Sequence, residues 1–191
     1  MGVVAVVQSA ADPRERRWLA GPGLVAETLS ESGVVVGEKA CAAIWVAIHI
    51  PLRHFNVAAC ADAAPTVARL AARGFRIGIV TARPLPAALV RRDLRDQGLP
   101  EVFEVVVTSG EIGLAKPHPR VFEVALEELG MDAGEVLMVG DSYAEDIVPA
   151  AGLGMNSVLK LNDRDPDPAW ALASHQVRSL DDLLRLDLLG G

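Results

Sequence analysis

With 191 residues, 51% of them hydrophobic and 23% charged, the chain can fill one sizeable core and carries no compositional mark of disorder or of a fibrous repeat. A formal net charge of −7 excludes a general nucleic-acid surface, which needs a basic face, yet leaves room for a locally positive anion site. Cys41 and Cys60 lack CxxC or His/Cys metal spacing and read as two buried thiols in a reducing cytoplasm.

The chain opens on Val3–Val7, a β-branched run of the kind expected in a parallel strand buried on both faces. No basic stretch precedes it, so it reads as a strand and not as a secretory signal. Asp12-Pro13-Arg14-Glu15 follows with the features of a helix start: a capping acid, a proline at the first position and a capping-box glutamate. Helical patterning runs through Trp18 and Leu19, breaks at Gly21-Pro22-Gly23 and resumes to about Leu29, and a second helix is expected over Glu38–Ile50, stopped by Pro51. The stretch Ala40–Leu52 is apolar, but His49 and Pro51 interrupt it and it is too short to span a bilayer. Between about 11 and 58 no strand is evident, and the segment reads as a helical insertion.

From there strands and helices alternate. Helices are expected at Ala64–Arg73, Leu85–Gln97 and Pro119–Leu129, each closed by a glycine, then at Ala144–Ala151 and Leu180–Leu186. Strands are expected at Arg76–Val80, Glu104–Thr108, Val136–Val139 and Ser157–Leu161, and Asn162–Pro168 reads as an exposed loop. This alternation predicts an α/β fold with a Rossmann-like, doubly wound parallel sheet. Ligands of such sheets sit beyond the carboxyl ends of the strands. Residues 8–10, 81, 108–116 and 140–146 all fall there.

Several of these residues can carry chemistry. Thr81, between a strand and a helix, can present its hydroxyl to a phosphate oxygen beside free helix N–H groups, or simply cap a turn. Lys116, held extended by Pro117 and Pro119, can neutralise a phosphate or a carboxylate at the sheet edge. Asp141 and Asp146 form the sharpest pair, since two carboxylates at one strand end repel unless a cation intervenes, and hard oxygen ligands suit Mg²⁺. The plain alternative is that each caps the short helix after it. Glu111 and His118 are further acid/base candidates. Trp18, Ile44, Trp45, Ile48 and Phe55 can line an apolar pocket or pack the inserted helices together.

The order of these signals is more specific than any one of them. VTARP at 80–84, SGEIGLAKPHPRVF at 109–122, MVGDSYAEDI at 138–147 and GLGMNSV at 152–158 resemble motifs two, three and four of the haloacid dehalogenase-like (HAD) hydrolases, over about residues 60–187. The resemblance implies a core domain from 1–10 and 59–191 and a short helical cap at 11–58. It implies a phosphoryl-binding set of Thr81, Ala82, Lys116 and Ser9, and metal-binding acids at Asp141 and Asp146. It also implies an aspartate nucleophile at the end of the first strand and an aspartate acid/base two residues later. Here those positions hold Gln8 and Ala10. A neutral amide is a poor nucleophile, and a methyl group has no proton to give. Asp12 is better explained as the helix cap, and Ser9 has no evident base.

The resulting expectation is a HAD-like binding or regulatory protein without the usual phosphatase activity, taking a small-molecule ligand and neither nucleic acid nor membrane. One alternative is an enzyme that uses the same pocket for a different reaction on a largely apolar molecule, with Lys116, Asp141, Asp146 or Glu111 as its acid/base groups and no aspartyl intermediate. The other is a residual Mg²⁺-dependent hydrolase. With the first-strand carboxylate gone, Mg²⁺ is expected to bind weakly, and Lys116 is expected to pair with Asp141.

Overall fold

The computed structural model describes residues 3–6, 22–44, 47 and 59–186. Its centre is a six-stranded sheet in which every neighbouring pair is parallel: β1 (Val3–Val6), β2 (Ile77–Thr81), β3 (Phe103–Thr108), β4 (Val136–Gly140), β5 (Asn156–Lys160) and β6 (His175–Val177). The strand order is β3-β2-β1-β4-β5-β6. The chain therefore winds outward from β1 through β2 to β3, then crosses over to β4 on the other flank of β1. Doubly wound sheets take their ligands at the carboxyl ends of the strands where the order reverses, here β1 and β4.

Alternation along the strands sorts the core into two layers. Ile77 and Ile79 of β2, Val106 of β3 and Leu137 and Val139 of β4 face one layer, with Val67 and Leu70 of helix α3 (Ala63–Ala72) and Val90 and Leu94 of α4 (Ala87–Asp96). Val80, Val105, Val107, Val136 and Met138 face the other, under Val121, Phe122 and Leu129 of α6 (Pro119–Leu129) and Ala150 of α7 (Val148–Gly152). Between β1 and α3 lie two further helices, α1 (Pro22–Glu31) and α2 at 38–44. Val25, Leu29, Val36 and Cys41 make a small apolar cluster of their own there. Among the described residues, no helix is long and apolar enough to cross a membrane.

Elements whose side chains alternate cleanly lie within a residue or two of their expected bounds. Four details differ. Pro22 does not break α1 but begins it, as suits a residue with no N–H to lose. Residues 144–151 are not one helix: a π-helical turn at Tyr143–Ile147 leads into α7. The closing helix is a 3-10 turn at Leu180–Arg185. Strand β6 and the four-residue helix α5 (Ser109–Ile112) were not expected; both are too short for a hydrophobic period to show. The reading of two buried thiols holds for Cys41 and fails for Cys60, which is exposed in the turn leading into α3. Ile44 is 36% exposed; Trp18, Trp45, Ile48 and Phe55 lie outside the described residues.

The end of the chain is fastened to α3. Asp62 Oδ2 accepts the Leu180 N–H at 2.6 Å, Arg69 pairs with Asp181 at 2.9 Å, and Arg73 donates to the Leu184 carbonyl at 3.0 Å. The ion pair and the Arg73 hydrogen bond are exposed and contribute little. The charge-assisted bond at the head of the 3-10 turn is the partly buried one. Asp62→Ala should therefore lower stability by about 1.5–3 kcal/mol. In hydrogen exchange the loss of protection should concentrate at 175–186. Uniform loss across the sheet would contradict this placement.

Candidate functional site

Among the described residues, three loops at the carboxyl edge carry the candidate side chains. The first follows β2, where Thr81 is buried and its hydroxyl accepts the Arg83 N–H at 3.3 Å, a local turn that aims the side chain. Since a hydroxyl also donates one proton, that proton remains for a ligand. Arg83 is anchored in turn by Asp93 of α4, an ion pair in which both side chains are nearly buried. Ala82, half-buried between them, offers only its backbone.

The second loop follows β3 and is zipped to the first. Ser109 Oγ donates to the Thr81 carbonyl at 3.3 Å, and the Gly110 N–H donates to the Arg83 carbonyl at 3.2 Å. Glu111 Oε1 accepts the Ala87 N–H at 2.8 Å, capping the start of α4 from outside. Residue 110 has to be glycine because a Cβ there would stand 2.5 Å from the Pro84 carbonyl carbon. The loop then passes Gly113, in the left-handed region at φ 74°, and delivers Lys116. His118 takes the N-cap of α6, its Nδ1 accepting the Arg120 N–H at 3.2 Å. Glu111 and His118 are thus both committed to helix starts, and neither is placed as an acid/base group.

The third loop follows β4. Ser142, and neither aspartate, caps the π turn: its hydroxyl accepts the Glu145 N–H at 3.2 Å. The turn folds Asp146 back over the end of β4, where its Oδ2 accepts the Ser142 N–H at 3.0 Å. This return depends on Gly140, since a Cβ at that residue would lie 2.5 Å from Asp146 Cγ. Asp146 Oδ1 meets Lys116 Nζ at 2.5 Å, with both side chains wholly buried. The expected Lys116–Asp141 pair is therefore corrected to Lys116–Asp146. The reason is geometric: the π turn carries the second aspartate inward and leaves the first at the rim.

Asp141 is only partly buried, and its two oxygens differ. Oδ2 accepts from Asn162 Nδ2 at 3.3 Å, whereas Oδ1 is shielded from solvent and has no hydrogen-bond partner. A buried anionic oxygen left unpartnered is the feature a hard cation satisfies, so Asp141 fits a Mg²⁺ bound through Oδ1. Asp146 fits less well, because both of its oxygens are already engaged. No group of three His, Cys, Asp or Glu residues able to hold a metal occurs among the described residues. Gln8, Ser9 and Ala10 lie outside them. Their place in the chain is nonetheless informative: β1 is in register with β4, Val6 opposite Val139, so they follow a strand that ends beside Gly140 and Asp141.

Two substitutions probe this arrangement. Lys116→Met leaves Asp146 buried without its counter-charge and should cost about 3–5 kcal/mol in chemical denaturation. Adding Asp146→Leu to it should recover most of that loss, and a double variant as unstable as the single one would show that the pair is not coupled. Gly140→Ala should cost about 1–3 kcal/mol through overpacking against Asp146, with Asp146→Ala relieving part of it.

Comparison with known proteins agrees with this fold. The family model described as haloacid dehalogenase-like hydrolase matches residues 6–154. The chain is 42% identical over 82 residues to pyrophosphatase PpaX of Bacillus pumilus, covering 43% of this chain and 37% of that one. It is 33% identical over 124 residues to the glyceraldehyde 3-phosphate phosphatase of Methanocaldococcus jannaschii, covering 63% of this chain and 54% of that one. These matches span roughly a third to a half of the relatives' own length. Among solved structures, a HAD phosphatase from Thermococcus onnurineus superposes with a TM-score of 0.67 at 23% identity, covering 100% of this chain and 99% of that one. A 2-haloacid dehalogenase from Pseudomonas syringae gives 0.69 at 15%, with 97% of each chain covered. At such identities the structures speak for the fold alone, but with the family model covering most of its length the chain belongs to the haloacid dehalogenase-like hydrolases.

Proposed function

We propose that this chain binds a small phosphate-bearing molecule at the carboxyl edge of its sheet without passing the phosphoryl group through an aspartyl intermediate, and so acts as a binding or regulatory member of its family. The observation that carries the reading is the contrast between an elaborately built anion site and Gln8 at the position of the nucleophile. Thr81 retains a hydroxyl proton, and the ammonium of Lys116 has three N–H groups, of which Asp146 takes one. These donors suit phosphoryl oxygens. Asp141 would hold Mg²⁺, which when bound would supply charge neutralisation at the site. An amide at residue 8 has its nitrogen lone pair delocalised and attacks nothing, and Ala10 moves no proton. The segment 11–58 is proposed as a cap that screens this edge.

A second reading, a Mg²⁺-dependent phosphatase, is favoured by one observation: the relatives at 42% and 33% identity are named a pyrophosphatase and a glyceraldehyde 3-phosphate phosphatase. A different reaction on an apolar molecule has less support, because Glu111 and His118 are already occupied as helix caps.

Calorimetric titration with inorganic phosphate, alongside p-nitrophenyl phosphate turnover with Mg²⁺, separates the readings. Phosphate should bind, Thr81→Val should weaken binding about tenfold, equivalent to one hydrogen bond to a charged group, and turnover should not exceed that of Lys116→Ala. Mg²⁺-dependent release of p-nitrophenol that Thr81→Val diminishes would falsify the first reading and establish the second. Gln8→Asp with Ala10→Asp should bring metal-dependent stabilisation and only slow turnover. Turnover of about 10 per second in that double variant would mean that only the nucleophile had been lost.

A further inference from the structure

The loop beyond β5 holds side chains that neither the motifs nor the proposed chemistry employs, and two of them grip Asp141. Asn162 has φ 54°, a left-handed conformation that asparagine tolerates better than most residues. Its Oδ1 accepts from Lys160 Nζ at 2.5 Å, and its Nδ2 donates to Asp141 Oδ2 at 3.3 Å. This bridge has only one sense. An ammonium can only donate and a carboxylate can only accept, so the amide must turn its oxygen to Lys160 and its nitrogen to Asp141. Arg164 holds the other side of the same residue. Its guanidinium donates to the Asp141 carbonyl, to the Lys160 carbonyl at 3.0 Å and to the Leu161 carbonyl at 3.0 Å. Arg164 lies 5.3 Å from the ring centre of Trp170, and Trp170 packs at 6.3 Å against Tyr143, two residues beyond Asp141. Tyr143 closes the circuit by accepting the Leu172 N–H at 3.4 Å.

We propose that Asn162 and Arg164 are positioning residues for Asp141: Asn162 occupies Oδ2 and Arg164 pins the backbone, so that Oδ1, shielded and without a partner, is left as the oxygen that meets a cation. The proposal rests on Asp141 being a cation-facing acid. It adds that the discrimination between its two oxygens comes from a loop outside the recognisable motifs. Partners that orient a metal-binding carboxylate typically change affinity 10- to 100-fold when removed.

The test uses Mn²⁺, which takes the same oxygen ligands and whose free ion is counted by electron paramagnetic resonance. Affinity is measured for the parent protein and for Asn162→Gly, which keeps the left-handed backbone while deleting the amide. Arg164→Met, Arg164→Lys and Asp141→Asn complete the set, each with its melting temperature. Asn162→Gly and Arg164→Met should each lower Mn²⁺ affinity about tenfold at a melting temperature within about 3 °C of the parent, with Arg164→Lys recovering part of the loss. If Asp141→Asn abolishes Mn²⁺ binding while Asn162→Gly and Arg164→Met leave it intact, the positioning role is overturned and the cation-facing acid stands. If Asp141→Asn also changes nothing, or the parent binds no Mn²⁺, the cation-facing acid fails and the positioning role goes with it. Loss of affinity that only accompanies a large fall in melting temperature, or that Arg164→Lys does not recover at all, marks a merely structural loop and overturns the proposal as well.

Discussion

The buried pair of Lys116 and Asp146 is the interaction on which the carboxyl edge depends. Two charges removed from water are costly unless each finds a close partner and the remaining lone pairs are satisfied. Here the aspartate meets the ammonium with one oxygen and a backbone N–H with the other. The lysine arrives from the loop before α6 and the aspartate from the turn after β4, and in strand order β2 and β1 lie between those two origins. The pair thus ties the two flanks of the sheet across its switch point. Gly140 makes room for the aspartate, the π turn returns it, and Gly113 lets the chain turn toward the lysine.

Two scales of contact follow from that tie. Within one flank the loops after β2 and β3 are zipped by polar contacts and a side-chain cap, which join Thr81 and the start of α4 to Ser109 and Glu111. On the other flank Asp141 is gripped by the loop after β5. Thr81 and Asp141 are therefore braced by different loops, and the Lys116–Asp146 pair adds a side-chain link between those flanks to the hydrogen bonds of the sheet.

Much of the layout was legible in the chain. A run such as Val136–Val139 ahead of Gly-Asp can only be an interior strand, and glycines at 74, 98 and 130 punctuate helices by their ease in the left-handed region. What stayed hidden depends on partners far away in sequence. Nothing local distinguishes Asp141 from Asp146 as the partner of Lys116; the π turn decides it, and such turns have no hydrophobic signature. Glu111 looked like a catalytic acid because its use, the first N–H of α4, lies 24 residues upstream. Asn162 and Arg164 read as loop polarity because each bonds the chain some twenty residues back. Fold follows from periodic patterns, whereas a site follows from contacts that no period encodes.

The fastening of the chain's end to α3 has a consequence for how this architecture can diversify. The point at which the chain re-enters the sheet layer is held by the sheet's own periphery: Gln97 takes the Ala59 N–H at 2.6 Å, and Asp62 takes that of Leu180. Its anchorage therefore comes from residues downstream of the 11–58 segment. An anchorage of this kind leaves the bonds at Ala59 and Leu180 independent of the length and composition of the segment that precedes them.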